Sequence, residues 1–233
     1  MKVYITGDIH GNASKLSSKN FPDGKDLTKD DVVIILGDFG LIWSEYRTKE
    51  EDYWLKWLDD KPFTTCFLDG NHENHPILND LPRKLKYGNE VGIAGHSIFH
   101  LRRGLIYKIN GFKLLTIGGA HSHDREYREW GKSMWIQEEI TEDDIYRTKV
   151  NLEKENYTVD YVLTHCAPVS KARGAMRQDQ TRLWTPDGSE ELLQVIYDLD
   201  INYITWFCGH YHSDHGPTYD GKFECIDTQI IPL

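Results

Sequence analysis

Val3-Tyr4-Ile5-Thr6-Gly7-Asp8-Ile9-His10-Gly11 sets four strand-favouring residues before a glycine, then a carboxylate and an imidazole two positions apart. The same grammar recurs along the chain. Val32–Leu36 runs into Gly37-Asp38-Phe39-Gly40, and Thr64–Leu68 into Asp69-Gly70-Asn71-His72-Glu73. Tyr161–Thr164 precedes His165, and Tyr203–Cys208 precedes Gly209-His210-Tyr211-His212. Short apolar runs bounded by glycine or polar residues read as buried strands, although Tyr203–Cys208 fits a short buried helix equally well by periodicity. Five such strand ends thus carry Asp, Asn or His, usually beside a glycine that allows a sharp turn.

Working outward, Phe112–Ile117 adds a sixth apolar run, and Asn110-Gly111 before it marks a two-residue hairpin with Leu105–Ile109. Asp220-Gly221 predicts a second hairpin, between Pro217–Tyr219 and Lys222–Ile226. Tyr53, Trp54, Trp57 and Leu58 recur at helical spacing, as do Leu192, Leu193, Ile196 and Tyr197. Thr141 and Ser189 suit helix N-caps, and Glu142, Asp143 and Asp144 suit a first turn. Strands alternating with helices predict an α/β domain, two packed sheets with helices outside. The whole chain, 1–233, reads as one domain, with residues 120–160 as a partly helical insertion near the strand ends.

With 233 residues, 39% hydrophobic and 27% charged, the chain can bury a full core, and its composition excludes disorder, collagen and coiled coil. No stretch reaches the roughly 20 apolar residues of a membrane-spanning helix. The formal charge of −10 argues against long nucleic acids or anionic membranes as partners. Cys66, Cys166, Cys208 and Cys225 form no CxxC pair, so neither a disulfide framework nor a zinc knuckle is expected. The N-terminal residues lack the apolar region of a signal peptide, and a cytoplasmic location is the expectation.

In α/β sheets ligands bind beyond the carboxyl ends of the strands, so the five clusters are expected to converge. Asp8, His10, Asp38, Asn71, His165, His210 and His212 offer oxygen and imidazole nitrogen without thiolate, a set suited to Mn, Fe or Zn. Seven side chains exceed the needs of one tetrahedral ion, whereas two ions sharing a bridging carboxylate use them all. Asp38 is the natural bridge. Two divalent ions bring four positive charges, and Asp8 with Asp38 removes two. The surplus lowers the pKa of water held between them and attracts a phosphate oxyanion. His72, beside Asn71, is the best placed general acid for the leaving oxygen.

Asp-x-His, Gly-Asp, Gly-Asn-His-Glu, His and Gly-His-x-His, spread over residues 8–212, resemble the signature of the calcineurin-like metallophosphoesterase family. The resemblance implies a two-sheet β-sandwich flanked by helices with a dinuclear centre at its rim. It implies that Asp8, His10, Asp38 and His212 hold one ion, that Asp38, Asn71, His165 and His210 hold the other, and that His72 is the leaving-group acid. The opening blocks look most like the branch with protein phosphatases and dinucleoside-tetraphosphate hydrolases. That branch follows its second block with Val-Asp-Arg-Gly, where this chain has Leu41 and Ile42 in place of the Asp and Arg.

His121, His123 and Arg125 follow the Phe112–Ile117 run and are candidate substrate-binding replacements. Trp43, Trp130, Trp135 and Trp184 are candidates for walling a pocket, while His75, His96, His100 and His215 read as structural, and Cys166 as packing. The preferred expectation is a two-metal phosphomonoesterase acting on a small phosphorylated substrate or phosphopeptide. A phosphodiesterase or nuclease on the same metals is the alternative. A non-catalytic scaffold is the third reading, although such a chain is expected to have lost ligand residues.

Overall fold

The apolar runs are continuous rather than alternating because their strands are covered on both faces. In the computed structural model, which describes residues 1–182, 184–215, 218 and 221–233, Val3, Ile5, Val32 and Ile34 face a core between two sheets, while Tyr4, Val33 and Ile35 face helices outside. Parallel strands buried on both sides need this apolar continuity.

The elements follow in order. Strand β1 is Val3–Thr6 and β2 is Val32–Ile35, followed by helix α1, Lys49–Asp59, and β3, Thr64–Phe67. A short α2, His75–Asp80, leads to β4, Arg83–Lys86, β5, Asn89–Ile93, and β6, Ile98–Leu101. Strands β7, Leu105–Ile109, and β8, Phe112–Ile117, form the Asn110-Gly111 hairpin, with both turn residues at positive φ. After two 3-10 turns, α3, Glu142–Lys154, leads to β9, Tyr161–Thr164. The chain then adds α4, Val169–Ala175, α5, Gly188–Tyr197, β10, Thr205–Cys208, β11, Phe223–Cys225, and β12, Ile230–Pro232.

One sheet has seven strands in the order β12-β1-β2-β3-β6-β5-β4; the other has five, β11-β10-β9-β8-β7. Strands β1, β2, β3 and β6 run parallel, as do β8, β9, β10 and β11, so each sheet gathers its strand ends along one edge. The α/β two-sheet architecture with outer helices is therefore as expected. Helix α1 packs Leu55 and Leu58 onto the first sheet, and α4 and α5 pack Ala172, Leu193 and Ile196 onto the second.

Two details differ from the sequence reading, and a third falls partly outside the described residues. The α5 cap is Asp187, not Ser189: Asp187 Oδ1 accepts from the Ser189 and Glu190 N–H groups, while Ser189 Oγ instead accepts from the Ile140 N–H at 3.0 Å. Strands β4 to β6 were not foreseen, because β4 (Arg-Lys-Leu-Lys) is a largely exposed charged edge and β6 carries a histidine. Of the expected second hairpin, Pro217, Tyr219 and Asp220 lie outside the described residues; its later strand is β11. Among the described residues no helix is long and apolar enough to cross a membrane.

Candidate metal centre

Beyond the C-terminal ends of β1, β2, β3, β9 and β10, the backbone bends abruptly. His10, Asp38, His210 and His212 all adopt positive φ, between 44° and 69°, although none is glycine. Such conformations cost energy and persist where surrounding structure over-determines them. Here they turn side chains from separate strands toward one point. Gly70 has a different reason to be glycine: a Cβ there would lie 2.1 Å from Asp38 Oδ1 and 2.6 Å from His165 Nε2. At Gly37, with φ +102°, a Cβ would fall 2.1 Å from His165 Nδ1.

Two groups result. Asp8, His10, Asp38 and His212 bring donor atoms within 4.8 Å of one another, and so do Asp38, His165 and His210. Asp38 belongs to both. Its Oδ1 faces His165 Nε2 at 3.2 Å and accepts from the His72 N–H at 2.9 Å, while Oδ2 lies 3.7 Å from His10 Nε2. The His10 and His212 Nε2 atoms face each other at 2.9 Å. His165 Nδ1 is engaged by the Leu36 carbonyl at 2.7 Å, which directs Nε2 inward, as metal-ligating imidazoles require. Asn71 Nδ2 donates to Ser122 Oγ at 3.3 Å, which leaves the amide oxygen facing His165 Nε2 at 3.3 Å.

Protonation follows from this crowding. Burial opposes charge on Asp38, but His165, His72 and His10 hold its carboxyl well below the usual range. Burial likewise opposes charge on His165, yet Asp38 and Asp8 raise it to about 10. Desolvation and then the neighbouring His165 push the half-buried His210 well below its ordinary range. Asp8 Oδ2 is buried without a hydrogen-bond partner. An orphaned carboxylate oxygen among converging imidazoles is what a cation would satisfy, so these donors fit divalent metal ions.

Glu73 braces the loops from below. Its Oε1 accepts from the Phe39 N–H at 2.6 Å, and Oε2 accepts from the Gly70 N–H at 2.6 Å, tying the Asp38 and Asn71 loops together. Burial and then Asp38 push its pKa up to about 8. Lys15 Nζ performs a similar role under Asp8, donating to its carbonyl at 2.5 Å and to that of Asp227 at 2.7 Å.

His72 stands at the mouth, with Nε2 4.0 Å from Asp38 Oδ2. Arg128 Nη2 donates to that same Nε2 at 2.6 Å, and Nη1 donates to the Asn71 carbonyl at 3.1 Å. Burial, opposed by Asp38 and reinforced by Arg128, lowers His72 to about 4. The Trp43 ring stacks on His72 with centroids 6.0 Å apart.

The other sequence candidates divide. Arg125 and His121 both face Glu139, and Arg125 also meets Glu138 at 3.3 Å, so these two are held within the protein. His123 lies against the His210 ring, centroids 5.5 Å apart. Leu41 and Ile42 are buried in the core beside Ile9 and Phe39, remote in character from a phosphate grip. His100 pairs with Asp69 at 3.0 Å, and His75 and His215 bond backbone carbonyls, all structural roles. Burial raises the Cys166 thiol well above its ordinary pKa, as suits packing rather than attack. Arg128 and Ser122 were not anticipated. Arg128 sits in a charged run indistinguishable locally from Arg125, and nothing in the sequence marked Ser122.

Fold and centre together define a metal-dependent phosphoester hydrolase with a histidine–aspartate site. The chain belongs to the calcineurin-like phosphoesterase family, whose pattern matches residues 1–214. It is 25% identical over 243 residues to lariat debranching enzyme A of Xenopus laevis, covering 91% of this chain and 43% of that protein. To the lariat debranching enzyme of Gallus gallus it is 24% identical over 243 residues, covering 91% and 42%. The chain thus spans less than half the length of these curated relatives. Among solved structures it is similar to phosphopantetheinyl hydrolase from Mycobacterium tuberculosis, with TM-score 0.46 and 17% identity over 97% of this chain and 89% of the other.

Proposed function

We propose that this chain hydrolyses phosphodiesters, holding the phosphate over the metal centre with one ester arm on either side. The carrying observation is a pair of recesses, each bounded by a histidine of a different donor group. One, of about 290 Å³, is lined by His10, Trp43, Ser44 and Glu51 among others. The second, of about 430 Å³, is lined by His123, Met176, Trp184 and His210 among others. A monoester has one arm and would leave a recess idle.

Charge supports the same reading. Leu41 and Ile42 supply no cation, Arg125 is engaged by glutamates, and Arg128 is the guanidinium beside His72. One guanidinium beside the metals suits a singly charged diester. The likeness to lariat debranching enzymes supports diester cleavage too, with RNA-like esters as candidate substrates. This departs from the monoester preference of the sequence reading.

Asp8, His10, Asp38 and His212 would hold one ion, and Asp38, Asn71, His165 and His210 the other. Bound there, two divalent ions supply Lewis acidity and a nucleophilic water near neutral pH. Arg128 turns from His72 to a non-bridging phosphate oxygen, a charge-assisted contact. With Arg128 withdrawn and an anionic phosphate in its place, His72 Nε2 would take up a proton from solvent and pass it to the leaving oxygen. Trp43, stacked on His72, fixes the imidazole plane and borders the leaving group's recess.

The test compares bis(p-nitrophenyl) phosphate with p-nitrophenyl phosphate on manganese-loaded protein. The diester should be favoured at least tenfold in kcat/KM. A preference for the monoester would overturn the proposal.

A further inference from the structure

The recess beyond His210 has walls of a particular kind. Trp184 Nε1 donates to both carboxylate oxygens of Glu190, at 3.3 and 3.2 Å. Tyr211 donates its hydroxyl to Glu190 Oε1 at 2.7 Å and accepts from the Ala167 N–H at 3.1 Å. Glu190 itself is fully buried at the first turn of α5. The polar edges of both rings are therefore satisfied inward, and what Trp184 retains for a ligand is its carbon surface. A side chain anchored this way loses little further freedom on binding.

The rest of the lining complements this. Met176 adds a polarizable apolar contact, and His123 leans over His210 at an interplanar angle of 35°. Gln180 engages its Oε1 with the Arg177 N–H at 2.8 Å, which leaves its amide NH₂ as a hydrogen-bond donor. The volume of about 430 Å³ lies within the range of small-molecule pockets, about 300–1,000 Å³. An apolar ring surface with one or two polar groups at its border matches a flat heteroaromatic ring bearing acceptors.

Resting on the diester reading, we propose that this recess is a nucleobase subsite, in which Trp184 stacks on the base of the ester arm that stays on phosphorus. The assignment to the retained arm follows from Trp43, which lines the opposite recess and stacks on His72, the proposed leaving-group acid. The subsite makes the preferred substrate a nucleotide diester rather than a simple alkyl one.

Two diesters with a common leaving group test this: methyl p-nitrophenyl phosphate and thymidine 5′-(p-nitrophenyl phosphate). Manganese-loaded wild-type protein should favour the thymidine ester. In Trp184→Ala the ratio of kcat/KM between the two should fall roughly 5- to 150-fold, the span of about 1–3 kcal/mol per stacked base. Trp184→Phe, which keeps a ring, should retain most of the preference. Equal use of both esters by the wild type, or an equal loss on both in Trp184→Ala, would overturn the subsite and leave the diester reading standing. Turnover of neither ester would instead overturn the diester reading, and the subsite with it.

A binding measurement independent of turnover uses metal-free protein. Adenosine 5′-monophosphate should quench tryptophan emission in the wild type and less in Trp184→Phe, with ribose 5-phosphate as the base-free control. Equal quenching of both proteins by the nucleotide, or by the two ligands, would count against the subsite. Matching thermal unfolding of wild type and Trp184→Phe establishes that both are folded.

Discussion

Replacing Arg103 by methionine should destabilise the fold far more than most single changes. Arg103 ties Asp69, just beyond the end of β3, to the backbone of residues 137–139. Its Nη2 is 2.5 Å and its Nε 2.7 Å from Asp69 Oδ2, and its guanidinium also donates to the carbonyls of Gln137, Glu138 and Glu139 at 3.0, 3.0 and 2.6 Å. Arg103 and Asp69 expose only 10% and 3% of their side chains, so both charges are largely desolvated. Breaking a buried pair from one side costs about 3–5 kcal/mol, because a charge is left without compensation. For a chain of this size each kcal/mol moves the melting temperature by about 2–4 °C, so a fall of about 6–20 °C is expected.

Asp69 gives that expectation a pH dependence. Burial works against its charge, but Arg103 and then His100 hold its carboxyl well below the usual range. A depressed carboxyl contributes stability that is full above its unfolded pKa and is lost as pH falls through the folded one. The gap between wild type and Arg103→Met should therefore be constant near neutrality and narrow only in strong acid. Calorimetry of wild type, Arg103→Met, Asp69→Asn and the double variant is the assay. The double variant should lose less than the two single losses combined. Melting of Arg103→Met within about 2 °C of wild type would refute the reasoning.

Four further outcomes are expected at the centre. His72→Ala should keep its metal content and slow esters with poor leaving groups most; equal slowing across a leaving-group series would argue against an acid role. Arg128→Ala should lower kcat/KM roughly 10- to 150-fold, the equivalent of about 1.5–3 kcal/mol for a hydrogen bond to charge, with partial recovery in Arg128→Lys; unaltered kinetics would remove it from the site. Asp38→Ala should cost metal occupancy, read by elemental analysis, because this carboxylate belongs to both donor groups. Gly70→Ala should lose metal as well, since the added methyl would sit 2.1 Å from Asp38 Oδ1; full occupancy would contradict that packing.

Much of the centre was legible because metal chemistry restricts residue type and parallel strands restrict position. Asp8, His10, Asp38, Asn71 and His72 each follow an apolar run directly, and strand direction alone sends such residues to one edge. Arg128 was illegible for the opposite reason. It lies in Asp124–Glu129, where charges alternate without periodicity, and only the packing of that segment separates Arg128, facing His72, from Arg125, facing Glu138 and Glu139. The edge strand β4 was hidden because an exposed edge needs no apolar pattern.

By itself the amino-acid order determined the central buried strands of both sheets, helices over them and the inventory of metal-binding side chains, since each depends on local pattern or on what a donor atom can do. Only the tertiary structure decided which guanidinium lies beside His72, which tryptophan stacks on it, and that recesses open beside His10 and His210. Those are relations between segments distant in the chain, set by how the rim loops pack against one another, and no local pattern encodes them.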